Sequence, residues 1–330
     1  MCGAAGAHAI RFFLGVSCAF LLAGVLAGAA SAAPAAPVHQ APAPAATALQ
    51  TATPAAALSP APPGGRLTPA FLNARAWEDF RGGEFGAATR GFTEAVNTAP
   101  KGSPEYLQGL YGLGMTWNLR GSGPDPVLAE KCFKEVVTLS PTGDIAAWSF
   151  LALARMKHAV PAGQDPDYPA VRKAYEEVIT RFPFHLAGEE AFIYLQSTWV
   201  STLDPKDAEQ ALSTLEAFIK GHAASKFLSP AWALVAECDY TLGQPEERLK
   251  AKIASLEAKE LDPTNPYSDN ASLYWEIATI AEFEAGDFAT ARKYYKGFVD
   301  EYPQDQRRWG ARLALARLDE VEAELRKGGQ

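Results

Sequence analysis

The feature that most constrains this chain is a recurrence. From residue 88 onward a small residue is followed by an aromatic or large apolar residue four later, an apolar or small residue three after that, and a proline five further on. The copies are Ala88, Phe92, Ala95, Pro100; then Ala129, Phe133, Val136, Pro141; then Val171, Tyr175, Val178, Pro183. A fourth, Ala211, Leu215, Phe218, Ala223, lacks the proline; a fifth, Ala251, Ser255, Ala258, Pro263, lacks the aromatic; the sixth, Ala291, Tyr295, Phe298, Pro303, restores both. Successive copies are offset by 41, 42, 40, 40 and 40 residues. A fixed period of this length marks one supersecondary unit built again and again, each copy burying its apolar face against its neighbours.

The spacing of four and then three puts the three residues on one helical face, and the proline stops that helix by withholding a backbone donor. Each copy is therefore the second helix of a pair. First helices are marked by single tryptophans: Trp77, Trp117, Trp148, Trp199, Trp232 and Trp275, with Trp309 left in a closing segment. A side-chain acceptor followed by proline, a favoured start, occurs at Thr68-Pro69, Ser103-Pro104, Asp125-Pro126, Asp204-Pro205 and Ser229-Pro230. Gly82-Gly83-Glu84-Phe85, Leu242-Gly243-Gln244-Pro245 and Ala285-Gly286-Asp287-Phe288 read as tight turns inside a pair, and Val160 to Tyr168 as a longer loop. Forty residues less the turns leaves two helices of about 15 residues, each about 22 Å long. Asp305 to Lys327, with Trp309, Leu313, Val321 and Leu325 among charges, reads as a capping helix with a polar outer face. The expected fold is all-α: an α-solenoid of about six helical hairpins plus a C-terminal capping helix over residues 66–330.

The front of the chain is different matter. Residues 1–65 hold one charged side chain, Arg11, and none of the seven tryptophans. Phe12 to Ala30 is apolar or small throughout, and Ala30-Ser31-Ala32 offers the small residues of a cleavage site, so residues 1–32 read as a signal peptide cut after Ala32. An uncleaved anchor over residues 12–30 is the alternative, since 19 apolar residues are just long enough to span a bilayer. Residues 33–65, with 13 alanines, 8 prolines and no charge, read as a disordered linker. The expected location is periplasmic or secreted, with membrane attachment only if the signal segment stays uncleaved. The remaining 265 residues carry 29 basic and 38 acidic side chains, an acidic balance that argues against a nucleic-acid partner.

These residues resemble the tetratricopeptide repeat family. Gly83-Glu84-Phe85 followed by Ala88, Phe92, Ala95 and Pro100, and Gly286-Asp287-Phe288 followed by Ala291, Tyr295, Phe298 and Pro303, reproduce its turn glycine, turn aromatic and second-helix series; Leu113-Gly114 and Trp117 add first-helix residues. That family's usual period is near 34, and the longer period here is similar to repeats of bacterial cell-envelope proteins. The resemblance implies a superhelix whose first helices line a groove, with proteins as partners.

Chemistry is hard to find. The histidines of the processed chain, His39, His158, His185 and His222, form no pair at metal-ligand spacing, so no metal or other cofactor is expected. Cys132 and Cys238 fall in repeats too far apart to bond and are expected buried and reduced. The adjacent acids Glu189-Glu190 and Glu246-Glu247 read as solvated surface. No phosphate loop or nucleophile elbow is present. The expectation is a non-enzymatic scaffold or adaptor holding an extended peptide or partner helix. Counted in the family's register, the groove-facing candidates are Asn73, Trp77, Phe80, Tyr111, Met115, Asn118, Met156, Glu237, Tyr240, Glu276 and Phe283, aromatic and Met residues beside acids. Two alternatives stay open. One is an exported all-α enzyme acting on cell-wall or other polysaccharide through two groove carboxylates about 5 to 9 Å apart. The other is a homo-oligomer built through an exposed terminal repeat.

Overall fold

The computed structural model describes residues 67–120, 124–161, 163–262 and 268–328. The expected signal peptide, its cleavage point, the anchor alternative and the linker lie outside them. Among the described residues there are thirteen α-helices and no strand. They are α1 (Pro69–Arg81), α2 (Phe85–Thr98), α3 (Pro104–Met115), α4 (Pro126–Leu139), α5 (Asp144–His158), α6 (Tyr168–Arg181) and α7 (Leu186–Val200). There follow α8 (Pro205–Gly221), α9 (Leu228–Thr241), α10 (Pro245–Glu257), α11 (Ala271–Ile280), α12 (Phe288–Glu301) and α13 (Arg308–Gly328). One π-helical turn extends α3 (Thr116–Arg120) and another extends α11 (Ala281–Ala285). No helix among the described residues is long and apolar enough to cross a membrane.

The body, Arg66–Lys259 with Ala271–Gln330, consists of six hairpins, α1–α2 through α11–α12, closed by α13. Each helix packs on its neighbours in sequence, and first helices touch the next first helix at α1/α3, α3/α5, α5/α7 and α7/α9. Buried side chains accordingly form separate clusters that succeed one another along the chain. This nearest-neighbour packing is what a solenoid requires. The segment 260–270 belongs to a second unit, in which Ser268 Oγ accepts the Asp262 amide at 2.9 Å.

The repeated residues are the core. Ala88, Phe92, Ala95, Ala129, Phe133, Val136, Val171, Tyr175, Ala211, Leu215, Ala291 and Phe298 have no exposure, and Val178 and Tyr295 almost none. Among the three helical positions of each copy only Ala258, which caps α10, is half-buried rather than buried; the prolines that follow at residues 100, 141, 183 and 303 are exposed. The aromatics of α2 and α4 both enter α3 where a glycine makes room: a Cβ on Gly114 would stand 2.6 Å from the Phe133 ring, and one on Gly112 would collide with Phe92.

The turns are equally legible. Gly83, Gly243 and Gly286 adopt φ of 83°, 69° and 67°, the left-handed region that closes a helix. In the first two turns the residue after glycine bonds back five residues, Glu84 N to Asp79 O and Gln244 N to Asp239 O. In the third, Asp287 N reaches Ala281 O, one residue further, because the π turn inserts an extra residue. Thr68, Ser103, Asp125 and Asp204 cap α1, α3, α4 and α8.

Four expectations need correction. α9 starts at Leu228, ahead of Ser229-Pro230, because Ser229 turns its hydroxyl to Ser255 on α10 instead of capping. Glu190 is 9% exposed and ion-paired, not solvated. Both cysteines are free, but only Cys238 is buried; Cys132 is half-buried on α4. The outer face of α13 is not polar, since Trp309 and Leu313 are 72% and 46% exposed on it; the Leu325 side chain lies outside the described residues.

Candidate functional site

The sequence candidates separate into three groups once the helices are assembled. Asn73 and Met115 are interior. Asn73 has no exposure, and its Nδ2 donates to Glu105 O at 2.8 Å, tying α1 to the start of α3. Trp77 is half-buried in an edge-on aromatic cluster, 5.4 Å from Phe80, 5.0 Å from Phe92 and 6.1 Å from Tyr111 of the next repeat. Tyr111, in turn, lies 5.8 Å from Phe133. These rings join repeats one and two. Asn118 is half-buried in the π turn of α3.

The second group is a series of ion pairs between repeats. Arg155 of α5 meets Glu190 of α7 at 3.4 Å; burial raises the Glu190 carboxyl above the ordinary range, and the arginine opposes that rise. Glu237 of α9 and Glu276 of α11 both bond Lys252 Nζ of α10, at 3.1 and 3.0 Å. Burial acts to lower the Lys252 ammonium, but the two carboxylates outweigh it and hold the group above the usual lysine value. Two carboxylates sharing one ammonium come within the separation a glycosidase needs. Here, however, Lys252 Nζ fills the point between them where a glycosidic oxygen or water would have to lie. Among the described residues no group of three or more His, Cys, Asp or Glu side chains is placed to hold a metal ion.

The third group is exposed. Tyr240 and Phe283 each stand three residues before a left-handed turn glycine, Gly243 and Gly286, and so occupy equivalent places in consecutive repeats. They are 42% and 66% exposed. An arginine lies over each ring: Arg248 is 4.4 Å from the Tyr240 centroid and Arg317 is 5.2 Å from that of Phe283. The same arginines reach acids beside the aromatics. Arg248 Nη1 donates to both carboxylate oxygens of Glu284, and Arg317 makes two bonds, 2.7 and 2.8 Å, to Glu282, which also accepts from Tyr295 Oη at 2.9 Å. The result is a continuous strip, Tyr240–Arg248–Glu284–Phe283–Arg317, in which fixed arginines orient two rings and leave apolar surface open. Phe80, at the same place before Gly83, is half-buried against Trp77 and Phe85 instead.

Sequence reasoning nominated both exposed aromatics but neither arginine, which lie on other helices. It also missed an apolar cleft of ≈ 360 Å³ between α4 and α6, floored by Phe150, Leu153 and Met156 of α5 and walled by Pro126 and Val127. Met156 was nominated; Val127, 73% exposed, was not. The only signal was an apolar first turn, Pro126-Val127-Leu128, outside the repeated pattern.

Residues 273–305, from α11 through α12 to the bend before α13, match the family model described as tetratricopeptide repeat. The other hairpins repeat the same pattern and are similar to the matched one. Among solved structures it is similar to the assembly chaperone of RpL4, Acl4 (residues 1–338), at 17% identity over 78% of this chain and 99% of that one, with a TM-score of 0.48. It is also similar to the tetratricopeptide domain of P58(IPK), at 14% identity over 78% of this chain and 66% of that one, with a TM-score of 0.31. No curated protein matches the sequence.

Proposed function

We propose that this protein is an exported, non-enzymatic scaffold that grips a segment of a protein partner, extended or helical, through the exposed aromatic strip of repeats five and six. The observation that carries the reading is the recurrence of an exposed ring at the same place in two consecutive repeats, each held by an arginine. Large rigid rings bordered by charge are the composition of an interface centre with a polar rim. The groove carboxylates, by contrast, are committed to ion pairs that join repeats, which supports a structural role for them. A photoreactive phenylalanine analogue placed at Tyr240 or Phe283 in the native host is expected to cross-link to a protein, and one at exposed Glu209 on α8 is not. Equal yields at all three positions, or none at 240 and 283, would sink the proposal. Export is tested separately: the protein isolated from its host is expected to begin at Ala33, and an intact N-terminus would argue for the anchored alternative.

A further inference from the structure

The end of the stack carries a face that no described residue covers. α13 seats one side on the preceding hairpin through Ala311, Ala314 and Leu318. Trp309, Leu313, Ala316, Glu320 and Ala323 lie on its opposite side at helical spacing and are all exposed. Earlier tryptophans are met by the following repeat: Trp77 by Tyr111, Trp148 by His185, Trp275 by Gly310. For Trp309 no described residue follows that does the same.

The charges of α13 suggest what covers it. Arg308, Arg312 and Arg317 stand in its first half; Asp319, Glu320, Glu322 and Glu324 follow, with Arg326 and Lys327 in the last turn. Arg326 and Lys327 suit the dipole at the C-terminal end, so it is the charges in the middle of the helix that the dipole does not explain. Asp319 and Glu322 are taken up by Arg292 of α12. Arg312, Glu320 and Glu324 make no ion pair among the described residues. Exposed Arg312, one turn before Ala316, and exposed Glu320, one turn after it, are complementary to an antiparallel copy of the same helix.

We propose that two copies of this protein associate through α13, antiparallel and crossing at Ala316. Ala316 is small enough to let the helix axes approach. Arg312 lies four residues before it and Glu320 four after, so Arg312 of each copy stands level with Glu320 of the other. Trp309 of each copy then lies near Ala323 of the other, a large residue against a small one. The contact is isologous and closes as a two-fold dimer rather than propagating. Arg317 of the aromatic strip also stands on α13, but the substitutions that test the dimer spare all five strip residues, so partner binding and self-association can fail separately.

The test is the mass of the full chain, purified from an export-competent host, by light scattering across a concentration series. A dimer is expected. Trp309→Glu with Leu313→Glu is expected to give a monomer with an unchanged thermal transition, because both side chains are already exposed in the single chain. Arg312→Glu is expected to weaken the dimer by about tenfold or more, and Arg312→Glu combined with Glu320→Arg to restore it, since the swap rebuilds both cross-copy pairs. A wild-type monomer at every concentration overturns the proposal. So does a dimer insensitive to Trp309 and Leu313, or a charge swap that fails to rescue.

Discussion

At the residue scale, what could be read from the sequence was whatever repeats. Phe92, Phe133 and Tyr175 are buried because they recur at one place in a helix, and recurrence is visible without a structure. Asn73 was misplaced for the opposite reason. An asparagine on a first helix reads as polar surface, yet its side chain is enclosed and bonded to a carbonyl 32 residues away. Asn73→Ala is expected to lower stability by about 1–2 kcal/mol in urea titrations, through loss of the bond that ties α1 to α3 and the gap left at a fully enclosed site. Asp239, one residue before Tyr240, is a second buried polar group the pattern did not flag. It takes the place that Glu282 holds in repeat six, but without an arginine or tyrosine to bond. Burial, with Glu247 and Glu216 nearby, raises its carboxyl from 3.8 to about 6. The folded state thus holds this proton more tightly than the unfolded chain, so stability is fully present below about pH 4 and is lost as pH rises through about 6. Asp239→Asn is expected to gain roughly 1–3 kcal/mol over wild type at pH 7.5 and nothing at pH 3.5. An equal difference at both pH values would contradict the assignment.

At the scale of elements, turns and starts were legible because a few residues decide them. A left-handed glycine ends α1 and α9, and proline after an acceptor opens α1, α3, α4 and α8. The pairing of helices in three dimensions was less so. Lys252 reads as an ordinary solvated lysine of a second helix, but it spans α9 and α11 by bonding Glu237 and Glu276. Removing it leaves two carboxylates facing one another. Lys252→Met is expected to destabilise by roughly 2–4 kcal/mol, below the full value for a buried pair because Glu276 is partly exposed. Its folded value is raised above the unfolded one, so the gap between wild type and variant should be constant from pH 6 to 9 and close as pH rises above about 10.5 through the raised value. Denaturant melts of the two proteins across that range measure it. Gly114→Ala makes a steric counterpart. The new methyl group would press on Phe133, and a loss of about 1–3 kcal/mol is expected although alanine is the better helix former.

At the scale of the molecule, period and composition were enough for the fold, because a solenoid is specified by local rules applied six times. They were not enough for the interaction surface. Tyr240 and Phe283 could be nominated from register, but Arg248 and Arg317, which orient them, come from other helices and follow no period. The same holds for α13, whose sequence reads as a cap and whose exposed Trp309 becomes evident only when its packed side is known. Since stability in such a stack is a sum of units and neighbour contacts, amide exchange is expected to be fastest in α1–α2, which among the described residues has a neighbour on one side only, and slowest in α5 to α8. Uniform protection from α1 to α12 would indicate a single cooperative core instead. The central claim is that two exposed rings in consecutive repeats hold a protein partner. The most direct measurement is a binding titration of the cross-linked partner against wild type and the Tyr240→Ala, Phe283→Ala double variant. With melting temperatures matched, the account predicts an affinity about a hundredfold or more weaker for the variant. Equal affinities would contradict it.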